Sequence, residues 1–243
     1  MVPKNIKRKK KNRVKTSRGI KRSCMNPNKM LKTLFYFATS ITAIVFILSF
    51  YLFAINSISI IKAEVYSSIT FSLLLSSSVF AYLLYKKQNI HSILLELGLS
   101  KDNISKKIFS YGIILFFIIF ALEILISLFS YISGIALPTN VSEVLFGTPL
   151  YFLLFSILIA PINEEIFFRG FLVPKYGIIL PALLFALLHA GYGSIVEGIG
   201  AFVFGVLAGY IFKKTKSLYP SIIAHVLVNG LAITSLLLLI IIK

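Results

Sequence analysis

Seven ionisable side chains of this 243-residue chain fall within long apolar runs: Glu123, Glu164, Glu165, Arg169, His189, Glu197 and His225. A charged group at the centre of a bilayer costs about 2.5–3.5 kcal/mol on insertion scales, so each asks for a partner or a function. Most fall into three short clusters. In Asn163-Glu164-Glu165-Ile166-Phe167-Phe168-Arg169-Gly170, helical spacing sets Glu165 and Arg169 one turn apart on one face, where they pair. Glu164 points about 100° away and is left for another task. Two adjacent carboxylates in low dielectric titrate as a coupled unit. The second cluster, Phe185 to His189, places one imidazole among leucines. In the third, His225 and Asn229 share a helical face at i and i+4.

Each cluster taken singly also has a structural reading: an ion pair locking helices together, a satisfied interior histidine, interhelical hydrogen-bond glue. Together they hold two of the three histidines, the arginine and the only adjacent carboxylates of the apolar runs. If they converge, they supply a general base, an imidazole and neutral hydrogen-bond donors, the parts that amide hydrolysis requires. Glu123 and Glu197 read as structural, and His91 as a solvated loop residue. No serine or cysteine accompanies the motifs, so no acyl-enzyme is implied. Glu164, His189 and His225 are also a conceivable zinc set with one open position. Against zinc, there is no His-Glu-x-x-His helix, and Asn229 suits an oxyanion better than a metal.

The elements that must position these residues are membrane helices. The chain is 58% hydrophobic and 14% charged, with mean hydropathy +0.91. Soluble domains carry about 25% charge, so a soluble globule is excluded. The net charge of +17 suggests nucleic acid, but 13 of the 25 basic residues lie in the first 32 positions and long apolar runs follow. A bilayer, with no nucleic acid, is the partner this pattern implies. Apolar stretches run from Leu34 to Ile55, Val65 to Tyr85, Ile108 to Ile132, Thr148 to Val173, Gly177 to Tyr192, Ile195 to Phe212 and Leu218 to Ile242. The expected fold is an all-α polytopic bundle of seven spans, the fifth being short. Alternate loops are lysine-rich: the tail, Lys86 to Lys107, Lys175, and Lys213 to Lys216. Only Lys62 and Lys243 fall on the other side. Cytoplasmic loops retain positive charge, which predicts an N-in, C-out integral membrane protein. The basic tail, residues 1–32, is expected to be disordered and drawn to anionic headgroups. Residues 33–145 form N-terminal helices with a short interfacial helix near Ile90 to Leu99, and 146–243 form the core that carries the motifs. Gly205 and Gly209 have the small-xxx-small spacing of close helix approach.

The motifs resemble those of the CaaX protease and bacteriocin-processing (CPBP) membrane endopeptidases. That family reads Glu-Glu-x-x-x-Arg, then Phe-x-x-x-His, then His-x-x-x-Asn on successive core helices. Here these are Glu164-Glu165 to Arg169, Phe185 to His189, and His225 to Asn229. The resemblance covers about Phe146 to Ile242. It implies an intramembrane glutamate endopeptidase without a metal cofactor, similar to type II CAAX prenyl endopeptidases. Its usual count of eight helices leaves room for a broken or re-entrant segment. Glu164 and His189 would activate water, and His225 and Asn229 would stabilise the oxyanion. Glu165, Arg169 and Phe185 would support them. The implied substrate is a membrane-embedded or lipidated peptide, in one branch a prenylated Cys-a-a-X C-terminus that loses its last three residues. Glu164 lies near the end of an inward-running span, which predicts a site facing the cytoplasm, in the plasma membrane. A membrane scaffold or immunity protein with the same fold is the non-enzymatic alternative. A proton-coupled transporter is a third reading, weakened by the lack of internal repeats.

Overall fold

The computed structural model describes residues 27–55, 60–86, 88–134, 148–190 and 195–242. The expected disordered tail lies almost wholly outside the described residues. Within them the chain is helical throughout: α1 (Pro27–Ala54), α2 (Ile60–Tyr85), α3 (Ile90–Glu96), α4 (Lys106–Ile132), α5, α6 (Ile179–Ala190), α7 (Ile195–Thr215) and α8 (Tyr219–Ile242). Helix α5 is composite. It runs as α-helix over Leu150–Glu165, as π-helix over Ile166–Leu172, and again as α-helix over Val173–Tyr176. Each of the seven apolar stretches forms a helix. Among the described residues, four helices are long and apolar enough to cross a membrane: Val65–Tyr85, Lys106–Ile132, Leu150–Tyr176 and Ile195–Thr215. Shorter apolar segments cover Phe35–Ser49, Ile179–His189 and Tyr219–Ser235. A bilayer forces this choice, because every peptide group must bond within its own segment.

The bundle centres on α8, which packs against α4, α5 and α7, while α2 packs on α5 and α6 on α7. Glycine sets the α6–α7 distance. A Cβ on Gly205 would stand 2.9 Å from the Ala182 Cα, and one on Gly209 3.0 Å from Ile178. At Gly205 the two helices touch backbone to backbone, whereas Gly209 makes room for the Ile178 side chain just before α6.

Helix α3 folds as expected, with Asn89 as its N-cap accepting from the Ser92 amide at 2.8 Å. It does more than lie at an interface. Ile93 and Leu97 are fully buried in a cluster with Leu83, Leu84, Phe212 and Leu218. Gly98 has φ +73°, and a Cβ there would sit 2.8 Å from the Lys216 carbonyl, so glycine is required on both counts. The Leu218 amide donates to the Gly98 carbonyl at 3.0 Å, and the Tyr219 hydroxyl donates to the Leu99 carbonyl at 3.0 Å. The lysine-bearing end of the bundle is thereby closed by a tied apolar plug.

Candidate active site

The carboxylates come from the point where α5 changes winding. Pro161 removes one amide donor from the last α-helical turn, and the π-helix begins at Ile166, directly after Glu164 and Glu165. Such π segments recur at functional sites because they re-aim side chains. Glu165 turns inward and has no exposure, whereas the Glu164 side chain keeps 21%. The divergence that helical geometry predicts for the pair is thus present.

Glu165 lies at the centre of a polar line. Arg169 Nη1 donates to Glu165 Oε1 at 2.7 Å, and His225 Nδ1 lies 2.9 Å from the same oxygen. An oxygen held by a guanidinium only accepts, so the His225 proton sits on Nδ1. Its Nε2 faces Glu164 Oε2 at 3.8 Å. One carboxylate therefore orients the imidazole toward the other. Arg169 is itself buried, with its guanidinium carbon 4.3 Å from the Phe185 ring centroid and 5.0 Å from that of Phe204. Aromatic faces stabilise a cation that water does not reach.

His189 is set by its own helix. Its Nδ1 lies 2.9 Å from the Phe185 carbonyl, which only accepts, so Nδ1 carries a proton. The Phe185 and His189 rings lie tilted at 43° with centroids 4.2 Å apart, and Phe185 meets His225 edge-on at 5.7 Å. It contacts Arg169 and both histidines at once. Asn229 Nδ2 donates to the Ser156 carbonyl at 3.0 Å, which ties α8 to α5 and leaves its second amide hydrogen for another acceptor. Asn163 Nδ2 donates to Ser72 Oγ at 3.1 Å, a buried tie between α5 and α2.

Two cavities flank these groups. The first, about 410 Å³, is lined by Glu164, Phe168, His189 and Asn229 together with Ser72 and Ser156. The second, about 420 Å³, is lined by His189, His225 and Asn229 together with Glu123, Glu197 and Gly200. His189, Glu197 and Asn229 line both. All seven residues singled out from the motifs are therefore gathered around one locus. Glu123 and Glu197, which spacing alone assigns to structure, stand on the cavity wall. Their burial in apolar runs was the available signal. Phe204 and Ser156 carried no signal at all. Among the described residues, no three His, Cys, Asp or Glu side chains come together as a group able to hold a metal ion.

This arrangement offers two carboxylates in distinct settings, two oriented imidazoles, and an amide donor beside a cavity large enough for a peptide segment. No curated protein and no solved structure matches the chain. Residues 146–231, the part that carries all three motifs, are similar to a known family: they match the model of the type II CAAX prenyl endopeptidase Rce1-like proteins.

Proposed function

We propose that the protein is an intramembrane endopeptidase in which Glu164 and His189 activate water for attack on a peptide bond. The observation that carries this reading is the line Arg169–Glu165–His225. It ends 3.8 Å from Glu164, on cavities that also hold His189 and Asn229. Glu164, the exposed member of the carboxylate pair, takes a proton from water, assisted by His189 Nε2. The water oxygen adds to the carbonyl carbon. The oxyanion receives the second Asn229 amide hydrogen, and His225 donates from Nε2 once it holds a proton there. Collapse breaks the C–N bond, and the proton taken from water goes to the leaving nitrogen. A carboxylate and an amine result. Glu165, Arg169 and Phe185 keep His225 in register and do not touch the reacting atoms. No metal enters these steps.

The Rce1-like match supports a finer reading of the substrate: a lipidated peptide, with a prenylated Cys-a-a-X segment as the first to assay. Purified detergent-solubilised protein should release the C-terminal tripeptide from a fluorogenic farnesylated peptide, and Glu164→Gln should not. The variant's elution and melting should match wild type. Release by both proteins would remove Glu164 from the mechanism. Release by neither, from folded protein, would remove the prenylated substrate.

A further inference from the structure

At the lysine-bearing end of the bundle, two lysines from different helices close on one ring. Lys86 directly follows α2, and Lys175 lies one residue before the end of α5. Lys86 Nζ stands 4.9 Å from the Tyr82 ring centroid, and Lys175 Nζ stands 4.6 Å from the same centroid. Lys175 Nζ also lies 3.1 Å from the Phe171 centroid, and Tyr82 meets Phe171 edge-on at 5.4 Å. Aromatic faces hold ammonium groups but cancel no charge. Two like charges drawn to one ring repel, so an anion between them is favoured. Among the described residues neither lysine forms an ion pair. Glu96, a carboxylate whose field reaches both, is held by Gln88 Nε2 at 2.7 Å. Both lysines are exposed, so an anion can reach them from outside the bundle.

The pair stands where a bilayer supplies anions. Helices α2 and α5 are both long and apolar enough to cross a membrane, over Val65–Tyr85 and Leu150–Tyr176, and each lysine is within one residue of its span's end. Beside them Tyr82, Tyr85 and Tyr176 are 39%, 73% and 60% exposed. Such amphipathic rings settle at headgroup level. We propose that Lys86 and Lys175 hold the phosphate of an anionic phospholipid, with the Tyr82 ring fixing the spacing of the two ammonium groups. A soluble phosphate offers the same charge, but only a lipid also lays apolar chain against the exposed tyrosine faces. The bound lipid ties the end of α2 to the end of the helix that carries Glu164 and Glu165. The site does not depend on the endopeptidase reading.

Binding is read on the full-length protein in detergent, by native mass spectrometry over titrations of phosphatidylglycerol and, for comparison, zwitterionic phosphatidylcholine. Wild type should retain phosphatidylglycerol at least about tenfold more tightly than phosphatidylcholine. Lys86→Gln/Lys175→Gln should weaken phosphatidylglycerol by about 30-fold, the loss of one headgroup attraction per lysine, and leave phosphatidylcholine unchanged. Lys86→Arg/Lys175→Arg keeps both charges and should stay within about threefold of wild type. Lys101→Gln/Lys213→Gln removes two other exposed lysines of the same end and should also stay within about threefold. Equal weakening by the two glutamine pairs would reduce the effect to diffuse surface charge and overturn the site. An arginine pair that binds no better than Lys86→Gln/Lys175→Gln would overturn charge as its basis. Displacement of the lipid by inorganic phosphate at equal concentration would overturn the lipid as its occupant.

Discussion

Removing Arg169 should destabilise the protein more than removing Arg169 and Glu165 together. The guanidinium is 1% exposed and Glu165 is 0% exposed, joined at 2.7 Å. Arg169→Met removes the cation from a Glu165 carboxylate that has no solvent exposure. Breaking a buried pair from one side costs about 3–5 kcal/mol, because the remaining charge is uncompensated. Lost contacts to the Phe185 and Phe204 faces add about 0.5–2 kcal/mol. At about 2–4 °C per kcal/mol for a chain of this size, the pair term alone lowers the melting temperature by about 6–20 °C. In Glu165→Leu/Arg169→Met no charge is left stranded, and similar-sized apolar groups fill the space. That double variant should recover at least half of the loss, since replacing both members of a buried pair is often close to neutral. Melting in detergent, followed by far-ultraviolet circular dichroism or size exclusion after heating, completes the cycle. The double variant should nonetheless be inactive, because His225 has lost the carboxylate that orients it. Additive losses in the double variant would refute the argument that Arg169 acts mainly by compensating Glu165. Retained activity would refute the orienting role of Glu165.

Asn229→Ala should lower turnover by about 100–1,000-fold through loss of one oxyanion donor, with KM little changed, as measured by steady-state cleavage. Gly205→Ala should cost about 1–3 kcal/mol, since its Cβ would meet Ala182 backbone at 2.9 Å, whereas Gly200→Ala, facing open space, should melt within about 1 °C of wild type. Gly200→Phe should fill the second cavity and slow cleavage while leaving melting unchanged, as read from paired activity and thermal scans. A chelator such as 1,10-phenanthroline should leave the cleavage rate unchanged within twofold; a loss restored by zinc would return the metal to the mechanism.

Much of the protein was legible in the sequence because a membrane restricts what a chain does. Apolar length fixed the helical elements, since unpaired peptide groups are not tolerated in hydrocarbon. Loop lysines marked the two ends of the bundle. Ionisable residues in apolar runs stood out as costly, and their i, i+4 spacing gave the Glu165–Arg169 pair and the His225–Asn229 face directly. Local periodicity could go no further. Glu165 as the shared acceptor of Arg169 and His225 joins residues 60 positions apart, and the Ser156 carbonyl that holds Asn229 is 73 positions away. The π-helix over Ile166–Leu172 leaves no spacing signature in the sequence. Glu123 and Glu197 looked structural as single carboxylates and proved to line the site only once α4 and α7 were set beside α8. The sequence determined which residues must find partners within the membrane; the packing of eight helices decided which partners they found, because burial and contact are properties of the assembled bundle and not of any segment.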